Sequence, residues 1–426
     1  MRILNIQIEQ NGAMVPVGLI RGNDPGDACF EYFPEYLSRS DPAALSISLP
    51  LQREPFPPSQ TASFFEGLLP EGFTRRSVAQ WMHADEGDYL SILHGLGKEC
   101  LGAICVTEGD EEFSAYYEPI SDAQVRELAV EGTSKSVELV TKSHLSLTGA
   151  SGKAGLYYDR VQSKWYLPHG TAPSTHIVKQ SHVRLDNIVM NEQLSLLTAA
   201  HCGITTPRSF IINTGEGKEH EILFATERYD RILSPEAGRI SDLTRPLRLH
   251  QEDFAQALGI PASQKYERGT ADHLQRMFDL LRLFSADPIT DQLRLWDVIV
   301  FHYLIGNTDA HIKNFSLLYG PNLKRIRLAP TYDIISTTIY EQSTRDMAFS
   351  LGGAVSIDEI DRDAFRSAAK EAGLGERMAM DRLARLQKAF IPALTKATEE
   401  LTSQGYSNAK ELKNRILESG GINRPI

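Results

Sequence analysis

The pattern of apolar residues changes near residue 230, and this change limits the folds that the chain can adopt. From about 145 to 230 the chain carries short segments rich in β-branched and aromatic residues, among them AGLYYD, KWYLP and THIVKQ, which predict strands. After 230 the spacing of apolar residues predicts helices over 251–258, 270–284, 291–305, 363–373, 377–403 and 408–417. The sequence therefore predicts a strand-rich part followed by a mainly helical part.

The first part of the chain, up to about residue 108, is predicted to be a separate unit of short strands. ILNIQI and MVPVGLI alternate apolar and polar residues on both sides of Asn11-Gly12, a dipeptide that favours a two-residue hairpin turn. The segment 64–82 is helical in pattern, with a break at Pro-Glu-Gly. Residues 109–140 begin with acidic, loop-like composition and become helical from Ser121, and we interpret them as a linker.

Charge and cysteine usage exclude several classes of protein. The 44 Lys and Arg residues against 55 Asp and Glu residues give a net charge of −11, whereas binding nucleic acid over a broad surface needs clustered basic residues. The cysteines are scattered without the paired spacing of a zinc site, as expected in a reducing cytosol: Cys29, Cys100, Cys105 and Cys202. The apolar run Val298–Ile305 is too short to cross a bilayer. We therefore expect a cytoplasmic protein without a membrane segment.

The segment GNTDAHIKN at 306–314 carries the strongest chemical signal. It follows a long apolar helical run that Gly306 is placed to end, and four residues separate Asp309 from Asn314. This is the D-x-x-x-x-N spacing of the kinase catalytic loop. In that loop the carboxylate accepts the proton of the substrate hydroxyl, and the amide oxygen binds a metal that bridges the phosphates. A polar turn between two elements has the same spacing by chance, so the motif needs support from elsewhere in the chain.

Asp333 provides that support. It lies 19 residues after Asn314, just past two strand-like segments, FSLLYG and RIRLAPTYD. Kinases place their metal-binding aspartate after a hairpin that follows the catalytic loop. The flanking residues here are Tyr332 and Ile334, which depart from the D-F-G pattern. Because both elements occur in kinase order, phosphoryl transfer becomes a better interpretation than two unrelated turns.

Lys179 is a candidate phosphate contact. It lies in the predicted strand 175–180 and should share a face of the sheet with Ile177. A lysine on a strand facing the cleft can contact the α- and β-phosphates, and Glu192 on the next helix can pair with it. A solvent-exposed strand lysine and a solvated helix glutamate are the alternative interpretation.

The motifs together resemble the HipA-type toxin kinases, which are serine/threonine kinases of bacterial type II toxin–antitoxin modules. The matching segments occur in family order and span most of the chain: FFEGLLPEG (64–72), SLTGASGK (146–153), STHIVK (174–179), ERYDR (227–231), HQEDFAQALG (250–259), IGNTDAHIKNFS (305–316) and PTYDIIS (330–336). The resemblance implies an α+β fold of the protein-kinase-like, two-lobe type with a β-rich N-terminal subdomain and a mainly helical C-terminal lobe. The expected parts are an N-terminal subdomain (1–108), a linker (109–140), a nucleotide-binding lobe (141–235) and a helical catalytic lobe (236–426).

The resemblance also implies ATP and Mg²⁺ as cofactors and assigns roles to individual residues. Asp309 is implied as the catalytic base, Asn314 and Asp333 as the Mg²⁺ ligands, and Lys179, paired with Glu192, as a phosphate contact. The other implied nucleotide-binding residues are Thr148, Gly149, Ala150, Ser151, Gly152, Lys153, Glu227, Arg228, Tyr229, His311, Lys313 and Tyr332. Of these, 227–229 are expected to form the hinge beside adenine, and the position of His311 beside the phosphates suggests titration near neutral pH.

In such kinases a serine at the start of the glycine-containing loop is autophosphorylated, which ejects the loop and inactivates the enzyme. By position this serine is Ser146, with Thr148 as a second hydroxyl two residues later. The chain has GASGK where the family usually has G-V/A-Q-x-K, so the glutamine of the pattern is missing.

The resemblance further implies partners and a cellular role. Members are commonly encoded beside a small helix-turn-helix antitoxin, HipB-like, that binds operator DNA, so DNA is reached mainly through that partner. Known substrates include aminoacyl-tRNA synthetases, whose phosphorylation arrests translation and growth. Two alternatives remain open from the residues: a small-molecule kinase of the aminoglycoside-phosphotransferase type, and a non-catalytic corepressor that binds the antitoxin.

Overall fold

The computed structural model describes residues 1–109, 114–143, 152–181, 185–269 and 272–424. The N-terminal part comprises β1 (Arg2–Gln10), β2 (Ala13–Gly22), β3 (Cys29–Tyr32), α1 (Pro34–Leu37), α2 (Pro58–Phe65), α3 (Gly72–Trp81), α4 (Tyr89–Leu96) and β4 (Ile104–Glu108). Its strands form an antiparallel sheet in the order β3-β2-β1-β4. The turn between β1 and β2 is formed by Asn11 and Gly12, which both have positive φ, as a primed hairpin turn requires.

The second part forms a larger sheet. Its elements are β5 (Tyr116–Ile120), α5 (Asp122–Glu131), α6 (Thr133–Ser143), β6 (Lys153–Asp159), β7 (Lys164–His169), β8 (His176–Gln180), α7 (Ile188–His201), β9 (Ser209–Asn213) and β10 (Ile222–Glu227). The strand order is β5-β7-β6-β8-β10-β9. One face of the sheet packs on α5, where Val178 and Leu223 share a cluster with Leu128. The opposite face, which carries Lys179, borders the cleft toward the helical lobe.

Residues 114–140, the main part of the expected linker, differ from that expectation. Tyr116–Ile120 pairs with β7 as the outermost strand of the larger sheet, and Val125 and Leu128 of α5 are buried against that sheet. The acidic composition at the start of this stretch indicated a connection, but the apolar face that follows it is buried on folding. The described part of this segment therefore belongs to the larger sheet and to the helices packed on it.

The third part is mainly helical. It contains β11 (Arg231–Leu233), β12 (Arg239–Ile240), β13 (Leu243–Thr244), β14 (Pro246–Arg248), β15 (Gln251–Asp253), α8 (Phe254–Ala257), α9 (His273–Phe284), α10 (Pro288–Ile305), β16 (Ser316–Tyr319), β17 (Ile326–Leu328), β18 (Asp346–Leu351), β19 (Ala354–Ser356), α11 (Arg362–Glu371), α12 (Glu376–Ser403) and α13 (Ala409–Ser419). The core lies around α10, where Trp296, Phe301 and Tyr303 are fully buried. In the part of the chain that the structure describes, no helix has the length and apolar character needed to cross a membrane. The fold is thus α+β with a strand-rich and a helical lobe, as expected.

The helices predicted in this lobe are confirmed to within a few residues, with one difference. A helix was expected from residue 251, but Gln251–Asp253 forms β15, which pairs with β16 in the register Gln251↔Leu318. The helix begins after Asp253, whose side chain accepts from the backbone N–H of Gln256. Pairing with a strand 65 residues later in the chain is a tertiary contact that local spacing does not reveal.

Candidate active site

Lys179 on β8 lies at the centre of an ion network in the cleft between the lobes. Its Nζ donates to Glu192 Oε1 of α7 at 2.7 Å and to Asp333 Oδ1 at 2.7 Å. Because side chains alternate along a strand, Val178 points into the core under α5 whereas Ile177 and Lys179 line the cavity on the other face. One ammonium group therefore joins the expected pairing partner and an expected metal ligand.

Burial acts differently on these three charged groups. The side chains of Glu192 and Lys179 are 7% and 11% exposed, whereas that of Asp333 is 37% exposed. Burial opposes the charge of Lys179, but Asp333 and Glu192 outweigh it and raise its pKa. Burial also opposes ionisation of Asp333, and Lys179 nevertheless holds its pKa well below the usual range. For Glu192 burial dominates and raises the pKa. Asp333 therefore faces the cavity with its ionised form favoured by Lys179.

Asp333 has an unusual backbone conformation. Its φ is 55°, in the left-handed region, which Asp and Asn tolerate better than other non-glycine residues. The segment around it is fixed because Thr331 N donates to Thr205 O at 2.8 Å and Ile334 is fully buried. Such conformations cost about 1–3 kcal/mol and concentrate at functional sites. This one holds the carboxylate against Lys179.

The loop after α10 holds Asp309 and Asn314 through main-chain hydrogen bonds. Gly306 ends α10 with φ 77°. The carbonyl oxygen of Asp309 accepts from His311 N at 2.8 Å and from Asn314 Nδ2 at 3.0 Å. Because Nδ2 of Asn314 is used in this way, the amide presents Oδ1 as an acceptor. The spacing of four residues thus corresponds to a compact loop whose two ends are hydrogen-bonded.

The carboxylate of Asp309 accepts a hydrogen bond from Tyr266. The distance from Tyr266 Oη to Asp309 Oδ1 is 2.5 Å. Burial raises the pKa of Asp309, the bond from Tyr266 lowers it, and the nearby charge of Asp333 raises it again. The net direction is upward, which makes the carboxylate a stronger base. A hydroxyl can therefore reach this carboxylate at hydrogen-bonding distance.

The residues expected to bind Mg²⁺ supply one amide oxygen and one carboxylate, from Asn314 and Asp333. Both are hard oxygen donors, and Mg²⁺ is usually held by one or two protein groups together with substrate phosphates and water. Within the described ranges, no group of three or more His, Cys, Asp or Glu residues could hold a metal by itself. The donor set therefore fits a Mg²⁺ ion bridged by nucleotide phosphates and does not resemble an all-protein cage.

Lys313 lines the cavity, but its ammonium group is already paired. Its Nζ lies 2.7 Å from Asp253 Oδ2 and 3.6 Å from Glu71 Oε1, and it donates to Gly67 O at 3.3 Å. It is therefore held by the N-terminal subdomain and by the start of α8. A buried ammonium group needs such carboxylate partners, and Lys179 has them too, so the expected nucleotide contact of Lys313 stays a prediction.

Sequence reasoning missed Glu71, Lys265 and Tyr266 as residues of the site. Glu71 Oε2 lies 2.6 Å from Lys265 Nζ, and all three side chains line the same cavity as Asp309. Glu71 belongs to the segment FFEGLLPEG, and its place among the family segments was the available signal. Lys265 and Tyr266 follow a short connection after α8 and carried no recognisable pattern.

His311 does not behave as the sequence suggested. Burial, followed by the neighbouring charge of Lys265, lowers the pKa of His311 to about 3. The imidazole is therefore neutral at physiological pH, and the expected titration near neutrality is wrong for this environment. Its ring lies edge-to-face with that of Tyr266, with 5.2 Å between centroids.

The expected hinge follows β10. The backbone N–H of Glu227 donates to Arg208 O at 2.8 Å, and its carboxylate pairs with Arg160. Arg228, which was expected among the nucleotide-binding residues of the hinge, has a fully buried guanidinium paired with Glu99 at 3.0 Å and Asp230 at 2.7 Å. These two carboxylates neutralise its charge inside the protein, so its side chain is not a cation available to the nucleotide.

Two tyrosines lie at the hinge side of the cavity. The rings of Tyr229 and Tyr332 stack with 5.7 Å between centroids and 28° between planes. The hydroxyl of Tyr332 donates to Lys313 O at 3.0 Å and lies 2.6 Å from Ser316 Oγ. The stacked pair therefore connects the expected hinge to the loop that carries Asn314.

Only the end of the glycine-containing loop is described. Lys153 begins β6 and pairs in register with Lys179, and both line the cavity. Burial, followed by the charge of Lys179, lowers the pKa of Lys153 to about 8. An anion between these two lysines would relieve their repulsion. The other loop residues singled out above lie outside the described residues: Ser146, Thr148, Gly149, Ala150 and Ser151.

One cavity of about 360 Å³ brings these groups together, a size typical of small-molecule sites. Its apolar side is formed by Ile177, Val189, Leu196 and Phe224, which suits an aromatic base. The expected site residues that line it are Gly152, Lys153, Lys179, Glu192, Glu227, Arg228, Tyr229, Asp309, His311, Lys313, Asn314, Tyr332 and Asp333.

Two family models match the chain. One is described as the HipA N-terminal domain and matches residues 11–107. The other is described as the HipA-like C-terminal domain and matches residues 145–394, which is more than half of the chain. The two matched regions correspond to the N-terminal subdomain and to the two lobes around the cavity.

Individual proteins are similar over most of the chain. The chain is 32% identical over 414 residues to a putative kinase of Sinorhizobium fredii named Y4mE, covering 93% of each. It is 28% identical over 332 residues to the serine/threonine-protein kinase toxin HipA of Shewanella oneidensis, covering 74% of this chain and 72% of that protein. A chain from the solved complex of HipA, HipB and operator DNA of Shewanella oneidensis superposes with a TM-score of 0.79 at 21% identity, covering 99% of this chain and 97% of that one. This last match shows the fold.

Proposed function

The chain belongs to the HipA family, and from this premise we propose that it is an ATP-dependent protein serine/threonine kinase acting as the toxin of a toxin–antitoxin module. One observation carries the proposal. Lys179 holds Glu192 and Asp333 at 2.7 Å each, and Asp309 and Asn314 line the same cavity. This set has the groups that phosphoryl transfer uses for phosphate positioning, metal binding and proton acceptance.

The chemical step needs a base beside the acceptor hydroxyl. The oxygen of the acceptor hydroxyl bonds to the γ-phosphorus while Asp309 takes the proton of that hydroxyl. The bond from the γ-phosphorus to the β-phosphate oxygen breaks, and ADP leaves. The raised pKa of Asp309 favours this role. Its position is fixed by the bonds that its carbonyl oxygen accepts from His311 and Asn314.

The remaining groups bind and orient the nucleotide. Lys179 and Lys153 approach the phosphates from neighbouring strands, and Glu192 keeps Lys179 in place. Asn314 Oδ1 and Asp333 would hold Mg²⁺, which would neutralise the phosphate charge. The backbone of 227–229 contacts adenine in this proposal, and the apolar side of the cavity encloses its ring.

Regulation and partners follow from family membership. We propose autophosphorylation at Ser146, with Thr148 as a second acceptor, as self-inactivation. We further propose a HipB-like helix-turn-helix antitoxin that provides the main contact with DNA, in line with the net charge of −11. The proposed substrate is a cellular protein such as an aminoacyl-tRNA synthetase, whose phosphorylation arrests growth. Both ATP and such a substrate place the reaction in the cytoplasm.

The substitution Asp309→Asn tests the proposal. It keeps the shape of the side chain and an acceptor for the Tyr266 hydrogen bond, but removes the base. We expect phosphoryl transfer from radiolabelled ATP to protein to fall by roughly 10²- to 10⁴-fold, with Mg·ATP binding measured by calorimetry close to that of wild type. Equal transfer by both proteins would contradict the assignment. Label on added metabolites and never on protein, including the kinase itself, would favour a small-molecule kinase, and a failure to bind Mg·ATP would favour a non-catalytic corepressor.

A further inference from the structure

The hydroxyl of Tyr266 is hydrogen-bonded to the proposed catalytic base. It donates to Asp309 Oδ1 at 2.5 Å, the contact that the acceptor hydroxyl makes with the catalytic base. Tyr266 lies on the connection between α8 and α9 and lines the cavity with Lys179, Asn314 and Asp333. A hydroxyl from the chain itself thus reaches the proposed reaction centre.

The ring of Tyr266 is held in place from several sides. It lies edge-to-face with His311 at 5.2 Å between centroids, and Lys265 Nζ lies 5.4 Å from its ring centre. Lys265 is in turn paired with Glu71 Oε2 at 2.6 Å. These contacts come from the helical lobe, through His311, and from the N-terminal subdomain, through Glu71 by way of Lys265. Both parts of the protein therefore fix the position of Tyr266.

The electrostatic surroundings keep the hydroxyl in its donor form. Burial, followed by the charges of Asp309, Glu71 and Asp333, raises the pKa of Tyr266. The phenol is therefore protonated at neutral pH and carries the proton that a base must remove. At the same time the residue is 39% exposed, so the protein does not enclose it on all sides.

We propose that Tyr266 is a phosphoacceptor, which the kinase phosphorylates within its own chain. The inference rests on the proposed kinase function. The phenol oxygen bonds to the γ-phosphorus of ATP, the bond from that phosphorus to the β-phosphate oxygen breaks, ADP leaves, and the phenol proton moves to Asp309. The reactants are the ATP that the proposed function already uses and a hydroxyl that the fold holds against the base.

Phosphorylation changes the site in a defined way. The hydrogen that Tyr266 donates is lost, and a group of about −1.5 to −2 charge appears beside Asp309. Like charges repel at this distance, so the modified side chain leaves the base. Asp309 then becomes accessible to other acceptors, whereas unmodified Tyr266 competes with them for the same oxygen.

The test maps phosphate on the full-length protein after incubation with Mg·ATP. Trypsin would leave Tyr266 in the short fragment 266–268, so digestion before aspartate, which yields 253–271, is the appropriate choice. Fragment-ion spectra then separate Tyr266 from Ser263 and Thr270 in the same peptide. We expect phosphotyrosine at Tyr266 in wild type, its loss in Tyr266→Phe and in Asp309→Asn, and no change in Tyr116→Phe, which removes an exposed tyrosine of β5 that stacks on His169.

Mixing experiments separate transfer within the chain from transfer between chains. Incubating active enzyme with a tagged Asp309→Asn chain should leave Tyr266 of the tagged chain unmodified, and the initial rate should be first order in enzyme. Phosphotyrosine on the tagged chain would overturn the inference. Phosphate on Ser146, Thr148 or an added protein but never on Tyr266 would also overturn it while leaving the proposed function intact, whereas no phosphate on any protein would count against both.

Discussion

At the scale of single residues, Lys179 forms ion pairs that its position in a strand alone does not predict. It balances two carboxylates that come from α7 and from the segment after β17. Glu192 is the more buried of the two and Asp333 is the more exposed. The lysine therefore links a buried glutamate of α7 to an aspartate that faces the cavity.

Replacing Lys179 by methionine should weaken binding of Mg·ATP. The substitution removes the proposed charge-assisted contact to phosphate and leaves Glu192 and Asp333 without their shared cation. A charged hydrogen bond contributes about 1.5–3 kcal/mol, so we expect Kd to rise by roughly 10- to 100-fold, as measured by calorimetry. Lys164→Met, which changes an exposed lysine of β7, is the matched control and should bind as wild type does. Equal affinities of wild type and Lys179→Met would contradict the assignment.

The cations of the chain illustrate what residue type does not reveal. Lys179, Lys153 and Lys313 all line the cavity, yet Lys313 is paired with Asp253. Arg228 is paired with Glu99 and Asp230 in the interior. The sequence near a motif does not show whether a lysine or arginine contacts a ligand or forms an internal ion pair. The carboxylates that would pair with it are distant in sequence.

At the scale of elements, the end of α10 determines where the proposed catalytic loop begins. Gly306 has φ 77°, and a Cβ atom there would lie 2.1 Å from Thr338 Oγ1. The carbonyl oxygen of Gly306 accepts hydrogen bonds from the backbone N–H groups of Thr337 and Thr338. The helix thus ends in direct contact with the segment that follows Asp333, which ties the two halves of the site together.

Gly306→Ala should destabilise the protein more than an otherwise similar helix-end substitution. Gly203 follows α7 with φ 83°, and a Cβ atom there would meet nothing within 4 Å. Gly203→Ala should therefore lower the free energy of unfolding only by the cost of an alanine in the left-handed conformation, about 1–2 kcal/mol. Gly306→Ala adds a steric clash that we expect to cost about 1–3 kcal/mol more, measured as the free energy of unfolding in urea. Equal losses in the two variants would show that the contact with Thr338 is relieved without cost.

At the scale of the whole molecule, buried ion pairs attach the N-terminal subdomain to the kinase lobes. Glu99 accepts from Arg228 at 3.0 Å, from Arg231 at 2.8 Å and from Arg248 at 2.9 Å. Glu9 on β1 lies 3.3 Å from Arg248 and pairs also with Arg245. Because a buried charge without a partner is strongly destabilising, the subdomain and the lobes depend on each other for stability.

Glu99 should make stability depend on pH in acid. Although burial opposes its ionisation, Arg231, Arg248 and Arg228 lower its pKa to about 2, below the value of roughly 4.3 for an unfolded glutamate. A lowered folded-state pKa gives stability that is present above the unfolded pKa and is lost as pH falls toward the folded pKa. Glu99→Gln should therefore lose about 3–5 kcal/mol of unfolding free energy at pH 7, and its difference from wild type should narrow at pH 3.

Urea denaturation of wild type and variant at the two pH values measures this difference. Glu108→Gln is the matched control, since Glu108 is over a third exposed and pairs with Arg2 at 3.8 Å. Glu108→Gln should lower the free energy of unfolding by less than about 1 kcal/mol, as is general for surface ion pairs. A difference between wild type and Glu99→Gln that stays constant or widens at pH 3 would contradict the assignment of Glu99 as an ionised member of the cluster.

Much of the fold and part of the site could be predicted from the chain alone. The hairpin at Asn11-Gly12, the order of strands and helices, and the hairpin between Asn314 and Asp333 depend on local patterns, and the structure confirms these elements. The stretch 109–140 was misjudged because the partner that buries its apolar face, the sheet edge at β7, is not encoded nearby. His311 was misjudged because its pKa depends on burial by distant segments.

The sequence by itself determined the fold class, the HipA resemblance and the spacing that separates Asp309, Asn314 and Asp333, because periodicity and motif spacing are properties of neighbouring residues. The tertiary structure alone decided which charges face the cavity and which neutralise each other inside the protein. It also brought Tyr266 to Asp309 and Glu71 to Lys265, since these contacts join segments that are far apart in the chain. Burial and electrostatic pairing act over distance in space, and they therefore appear only when the chain is folded.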